Sequence, residues 1–108
     1  MTTYVLNKTA FFPYTDKGKK VRELLDPIIV GRVMQQFRED KGISQEVLSG
    51  LAGIGRTHLS AIERGVRRPT LETFFRIAEA LQIKPSVMMA EIEKSIGDAQ
   101  GSQSRDPI

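Results

Sequence analysis

The chain has 108 residues, of which 40% are hydrophobic and 27% are charged, a composition that predicts one folded domain with a single core. It contains no cysteine and one histidine, which excludes disulfides, thiolate metal ligands and a zinc site built from histidines. The formal net charge of +3, from 16 basic and 13 acidic residues, is too small for the total alone to indicate a nucleic-acid partner.

The N-terminal segment, residues 1–25, carries two short apolar runs at 4–6 and 10–12, which Pro13 and a TDKGKK turn interrupt. This strand-like composition predicts either a small hairpin or an arm. Because Phe11, Phe12 and Tyr14 are too apolar to be left in water, we expect the segment to pack on its own domain or on a partner subunit. Residues 1–25 are therefore predicted to be an N-terminal arm and a candidate dimerisation segment.

A first helix is predicted to begin at Asp26 and Pro27. Aspartate caps the free N–H groups of a first turn, and proline at the first helical position loses no hydrogen bond. Ile29, Val33 and Phe37 follow at four-residue spacing, which predicts a buried stripe on a helix that ends near residue 42.

The next pattern, SQEVLSGLAG, predicts a short second helix. Ser44 is its N-cap, and Leu48 with Ala52 forms an inward pair four residues apart. Gly53 ends the helix, because glycine readily adopts the left-handed conformation that follows a helix.

A third helix is predicted to begin only three residues later, with Gly55 as N-cap and Ile54 packed against Leu59 as a hydrophobic staple. Leu59 and Ile62 form its inner edge, and Gly65 ends it. Two short helices around a glycine corner are a helix-turn-helix, a motif whose second helix usually enters the major groove of DNA.

Two further helices are predicted from caps and apolar periodicity. Thr70 caps a fourth helix over residues 71–81, and Pro85 with Ser86 opens a fifth. The fourth helix should supply much of the core through apolar residues at three- and four-residue intervals: Leu71, Phe74, Ile77, Ala78 and Leu81. The fifth has an apolar edge of the same kind: Met88, Met89, Ile92 and Ile96. Residues 97–108 are polar without a period, which predicts a flexible, disordered tail.

The segments SQEVLSGLAG, RTHLSAIERG and RRPTLETFFRIAEAL closely resemble the Xre family of bacterial and phage regulators, which includes the lambda-type repressors. The resemblance spans residues 28–89. It implies an all-α, five-helix lambda repressor-like domain over residues 26–96, and a transcriptional regulator that binds double-stranded DNA sequence-specifically through the major groove.

The resemblance places the base-reading positions near the start of the third helix. The inner face of that helix is fixed by Leu59 and Ile62, so its opposite face is available to DNA. The predicted base-reading residues are Arg56, Thr57, His58 and Ala61. The predicted phosphate contacts, which position the protein without reading sequence, are Ser44, Gln45, Ser60, Arg64, Arg67 and Arg68.

The distribution of charge agrees with this placement. Residues 55–68 hold four arginines and one glutamate, so this stretch accounts for the whole net charge of +3. The resemblance also implies an ion pair between Arg38 and Glu63, the glutamate of IERG, that ties the first helix to the third. We expect that pair to be structural.

The resemblance implies a repressor that acts as a homodimer on a palindromic operator, since one module offers only a small interface to DNA. Candidate dimer surfaces are the N-terminal segment and the edge of the fifth helix with Phe75. Two alternatives stay open. The segment RTHLSAIERGVR resembles a sequence motif of restriction-modification controller proteins, which is the first alternative. The second is an antitoxin, which would bind a toxin, a small protein partner, through the arm or the tail.

An enzymatic function has no support in the sequence. There is no GxxxxGK[ST] phosphate loop, no metal-ligand set and no nucleophile paired with a base, so neither a cofactor nor a metal is expected. No apolar run approaches the roughly 18 residues of a membrane span, and nothing resembles a signal peptide. We therefore expect a cytoplasmic protein with no membrane partner.

Overall fold

The computed structural model describes residues 24–104, with side chains described through residue 100. Over this range the chain forms five helices and no strand, which confirms the predicted all-α class. The helices are α1 (Pro27–Asp40), α2 (Gln45–Ala52), α3 (Arg56–Glu63), α4 (Leu71–Ala80) and α5 (Pro85–Ser104). The predicted arm, apart from its last two residues, and the last four residues of the predicted tail lie outside the described residues.

The helices begin at the positions predicted from their N-cap residues. The side chains of Asp26, Ser44 and Thr70 accept hydrogen bonds from the backbone N–H groups of the first turns of α1, α2 and α4. Gly55 occupies the N-cap of α3 without a side-chain bond. Gly53, with φ of 73°, ends α2 in the left-handed conformation.

The core draws on all five helices. Its fully buried side chains are Met34, Leu48, Leu59, Ile62, Ile77, Leu81, Met88 and Ile92. Leu71, which was predicted to join them, is 72% exposed. It is the first residue of α4, where the helix has not yet reached the core, so its place in the apolar period does not bury it.

The buried stripe of α1 differs from the predicted one. Val33 is buried, but Ile29 and Phe37 are only half-buried and pack at the edge of the core, and the other buried apolar residues of α1 are Val30 and Met34. Apolar residues recur every four positions in two neighbouring series, one that begins at Ile29 and one that begins at Val30. Local spacing alone does not show which of the two series is buried. The choice is made by the packing of α1 against both α3 and α5.

The packing of α1 against α3 is a close backbone contact at Gly31. A β-carbon at this position would lie 2.2 Å from the carbonyl oxygen of Ile62 and 2.6 Å from that of Glu63, far inside van der Waals contact. Gly65, with φ of 79°, follows α3, and a β-carbon added there would lie 2.7 Å from Cγ1 of Ile28 in α1. Glycine at both ends of the contact lets α1 support the C-terminal half of α3 directly.

The last helix continues through Ser104, past the predicted boundary at residue 97. Residues 97–100 are exposed. A helical turn that buries nothing needs no apolar residues, so the sequence there shows no period. None of the helices within residues 24–104 is long and apolar enough to cross a membrane.

Candidate nucleic-acid interface

The inner face of α3 is buried and its opposite face is open to solvent. Leu59 and Ile62 are fully buried against the other helices. Arg56 and Thr57, in the first turn, are exposed. The predicted base-reading residues thus divide into two exposed side chains, Arg56 and Thr57, and two half-buried ones, His58 and Ala61.

The C-terminal end of α3 is held by the predicted ion pair. Arg38 donates from Nε to Oε2 of Glu63 at 2.7 Å and from Nη2 to Oε1 at 2.9 Å, a bidentate geometry. Both side chains are buried, with 11% of the arginine and 2% of the glutamate side chain exposed. The hydrogen bonding to Glu63 raises the pKa of Arg38 above its usual value, against the opposing effect of burial.

The ion pair also contacts the start of α2. Arg38 Nη1 donates to the carbonyl oxygen of Ile43 at 2.9 Å, and the side-chain amide of Gln45 donates from Nε2 to Oε1 of Glu63 at 2.9 Å. One buried carboxylate therefore receives bonds from α1 and from α2 while it belongs to α3. Among the described residues, no buried side-chain nitrogen or oxygen lacks a hydrogen-bond partner.

The bond from Gln45 to Glu63 was not anticipated from the sequence. Gln45 was predicted only as a phosphate contact; it is half-buried, and one N–H of its side-chain amide is engaged within the fold. The two residues are 18 positions apart, and only the packing of α2 against α3 brings them together. No local pattern in the sequence could have shown this contact.

The polar and basic phosphate candidates lie in different surroundings. Ser44 is exposed, and its hydroxyl oxygen accepts from the N–H of Val47 at 3.1 Å. Arg64 donates from Nε to the hydroxyl of Ser60 at 3.3 Å, so these two candidates form one unit on the surface of α3. Arg67 is exposed in the loop after α3.

Arg68 is directed toward the start of α1. Its Nη1 donates to the carbonyl oxygen of Leu25 at 2.8 Å, and the residue lines an apolar groove with Leu71 and Met89. The structure thus brings Ser60 and Arg64 together but leaves Arg68 engaged with the segment before α1.

Burial of Glu63 changes the charge that residues 55–68 present to a partner. Glu63 is the single acidic residue of this stretch, is 5% exposed and is neutralised by Arg38. The exposed charges that remain are all positive: Arg56, Arg64, Arg67 and Arg68. A surface of this sign favours a polyanion such as the DNA backbone.

Comparison with known proteins agrees with this geometry. A helix-turn-helix family model matches residues 34–88. The chain is 36% identical over 55 residues to y4dJ of Sinorhizobium fredii, named as an HTH-type transcriptional regulator, and the match covers 51% of this chain and 71% of that protein. The HTH-type transcriptional regulator MT0491 of Mycobacterium tuberculosis is 30% identical over 78 residues, and the match covers 72% of this chain and 55% of that protein.

Solved structures show the same fold. The restriction-modification controller protein C.AhdI of Aeromonas hydrophila is 35% identical, with a TM-score of 0.57 over 58% of this chain and 96% of that chain. The controller C.Esp1396I, solved bound to a 19 base pair DNA duplex, is 30% identical, with a TM-score of 0.61 over 65% of this chain and 93% of that chain.

Proposed function

Because the chain belongs to the Xre family of helix-turn-helix transcriptional regulators, we propose that it binds a palindromic operator as a homodimer and represses transcription there. The observation that carries the proposal is the all-positive exposed charge of residues 55–68 beside a recognition helix whose inner face is fixed in the core. Such a surface attracts the DNA backbone and presents side chains that do not take part in folding.

Base reading is assigned to the first turns of α3. Arg56 is exposed there and can hold O6 and N7 of a guanine in a bidentate fork. The methyl groups of Thr57 and Ala61 suit contact with a thymine methyl, and His58 lies at the flank of the same face. Sequence preference then depends on the exposed side chains of Arg56 and Thr57, with the half-buried His58 and Ala61 beside them.

Phosphate contacts are assigned to the rim of this surface. Arg64 and Ser60 act as one unit, Arg67 projects from the following loop, and the backbone N–H groups at the start of α2 complete the set. These groups fix the position of the duplex without reading its sequence. Arg68 joins them only if its bond to Leu25 is exchanged for one to a phosphate.

The dimer is assigned to the apolar surface around Phe75. This ring is 55% exposed, and Leu71 and Met89, which line the neighbouring groove, are 72% and 38% exposed. Two copies joined here would present two α3 helices to half-sites about one turn of DNA apart. The other candidate surface, the N-terminal segment, lies mostly outside the described residues.

A second candidate function is control of a restriction-modification system. This function is favoured by the similarity to C.AhdI and C.Esp1396I and by the sequence segment RTHLSAIERGVR. It uses the same fold and the same DNA surface. The two functions differ in which promoter is bound, so the bound sequence decides between them.

The first test is selection of the purified protein against a randomised duplex pool near physiological salt, with the stoichiometry of the winning complex measured in the same series. We expect a short two-fold-symmetric motif bound by two chains. Failure of a folded protein to enrich any motif would overturn the proposal, and co-purification of a second small protein would indicate an antitoxin instead.

Two variants separate the assigned roles in that assay. Arg56→Ala should relax the preference at one base pair by about 1–3 kcal/mol and leave the other positions unchanged. Arg67→Ala should weaken binding to every sequence and lower the slope of log K against log salt by about 0.9, with the motif unchanged. An unchanged motif with Arg56→Ala, or an unchanged slope with Arg67→Ala, would contradict the corresponding assignment.

A further inference from the structure

The apolar groove beside the start of α1 is the surface that the proposed function uses least. It is lined mainly by apolar side chains of α1, α4 and α5, and its volume is about 240 Å³. Val30, Phe74 and Ile92 are the buried part of this lining, whereas Leu71 and Met89 are exposed. Small-molecule pockets usually enclose about 300–1,000 Å³. A groove of this size and character therefore suits a few apolar side chains better than a cofactor.

The chain enters the described domain at this groove. Leu25 is one of the lining residues, and its carbonyl oxygen accepts a hydrogen bond from Nη1 of Arg68 at 2.8 Å. The two residues are 43 positions apart, so the bond attaches the residue before α1 to the loop after α3. Residues 1–23 are consequently tethered to the chain beside the groove.

The composition of residues 1–23, which lie outside the described residues, matches the groove. This segment holds four of the seven aromatic residues of the chain, which are Tyr4, Phe11, Phe12 and Tyr14. A phenylalanine side chain removes about 150–250 Å² from water when it is covered. The 12 residues between Phe12 and Leu25 reach at most about 43 Å, which is long enough for Phe12 to return to the groove.

We propose that Phe11 and Phe12 dock in the groove of their own chain. A tether of this length gives the segment an effective concentration on the order of millimolar, far above that of a second copy in dilute solution. The docked rings cover Leu71 and Met89, which the proposed dimer contact also uses. The N-terminal segment thus competes with a second copy and limits dimerisation, a consequence that rests on the proposed function, whereas the docking itself does not.

The methionine methyl groups test the docking directly, because the chain has only four methionines. Met89 lines the groove, and Met34 is fully buried in α1. In the full-length protein, docked rings should displace the Met89 methyl resonance through their ring currents. The double variant Phe11→Ala, Phe12→Ala should lose this displacement and keep the Met34 resonance in place. A Met89 resonance that is the same in both proteins would overturn the proposal.

Tyr4→Ala is the matched control in the same segment. It also removes an aromatic ring, but at a position to which the groove is not assigned. The Met89 resonance should stay where it is in the wild-type protein. A displacement as large as that of the double variant would overturn the assignment to Phe11 and Phe12.

Leu71→Glu tests the groove side of the contact. Leu71 is exposed and is the first residue of α4, where a negative charge favours the helix, so the fold should be kept. Chymotrypsin should then cut after Phe11 and Phe12 about tenfold faster than in the wild-type protein, since cleavage follows the population of the undocked state. Leu51→Glu is the control, the same substitution at a 64% exposed site on α2. Equal cleavage rates in Leu71→Glu and Leu51→Glu would overturn the proposal.

Dilution separates docking in the same chain from docking in a second copy. A contact within one chain does not depend on concentration, so the Met89 resonance should keep its position over a hundredfold dilution. Loss of the displacement on dilution would overturn the proposal and assign the groove to a second copy.

Sedimentation equilibrium tests the consequence for dimerisation. The double variant Phe11→Ala, Phe12→Ala should dimerise about tenfold more tightly than the wild-type protein, because the fraction of chains with an open groove sets both association and cleavage. A weaker dimer would overturn the competition and place the segment within the dimer contact. If neither protein dimerises, the proposed dimer contact is wrong, and the Met89 resonance still decides the docking.

Discussion

At the scale of single residues, the position of α3 depends on side chains that are not themselves assigned to DNA. Gly31 contributes by having no side chain, which lets α1 approach the backbone of α3. Glu63 contributes a buried carboxylate that joins three helices. Changes at either position should therefore affect folding first and DNA binding as a consequence.

Gly31→Ala should lower the free energy of unfolding by about 2–3 kcal/mol, because the added β-carbon meets backbone carbonyls that cannot rotate away. Urea unfolding followed by circular dichroism measures the change. The matched control is Gly50→Ala on the exposed side of α2, where nothing lies within 4 Å. That variant should gain about 0.5–1 kcal/mol, the usual benefit of alanine over glycine in a helix. Equal stability of Gly31→Ala and wild type would contradict the close contact.

Glu63→Gln should cost about 3–5 kcal/mol of unfolding free energy, since it leaves the buried Arg38 without its counter-charge. Replacement of both partners by methionine should cost much less than the sum of the single changes. The same urea experiment, arranged as a double-mutant cycle, gives the coupling energy. Additive costs would show that the two charges do not depend on each other.

At the scale of helices, the sequence predicted the starts and ends well and the orientations less well. The cap residues Asp26, Ser44 and Thr70 act on N–H groups two or three positions away, so a local pattern is enough to place them. The exposure of Leu71 and the choice of Val30 over Ile29 depend on where another helix lies. The bond from Gln45 to Glu63 belongs to the same group, because it exists only after α2 and α3 have packed.

The end of α4 offers a prediction at this scale. Gln82, which follows α4, has φ of 60°, a left-handed conformation that the chain gives to glycine after α1, α2 and α3. The side chain is exposed, so Gln82→Gly loses no packing and should raise the free energy of unfolding by about 0.5–1 kcal/mol. Gln82→Ala keeps the β-carbon and should show no such gain in the same thermal or urea measurement. A loss with Gln82→Gly would indicate that the backbone is not strained there.

At the scale of the whole molecule, the proposed DNA surface and the groove beside the proposed dimer contact overlap at the loop between α3 and α4, where Arg68 lies. The first is built from α2, α3 and the loop after α3, and the groove beside Phe75 is lined by residues of α1, α4 and α5 and by the residues just before α1 and α4. Arg56 on α3 and Phe75 on α4 lie outside this shared loop, so changes at these two positions can test DNA contact and dimerisation separately.

Phe75→Glu should convert the proposed dimer to a monomer, because it places a charge on an apolar contact without touching the core. Sedimentation equilibrium measures the association, and circular dichroism checks that the helices are kept. Val87→Glu is the control for the added charge, since Val87 is also exposed, at 49%, but lies on α5 outside the contact proposed for Phe75, Leu71 and Met89. An association constant unchanged by Phe75→Glu would move the dimer contact to another surface.

The two faces of α3 have a consequence for how regulators of this design diversify. Leu59, Ile62 and Glu63 keep the helix in place, whereas Arg56 and Thr57 make no contact that the fold needs. After a gene duplication, substitutions at these two outward positions can give one copy a new operator while both copies melt at nearly the same temperature. Related regulators in one cell can thus lose cross-talk in a few steps, and libraries varied at the same positions can supply independent switches for synthetic circuits.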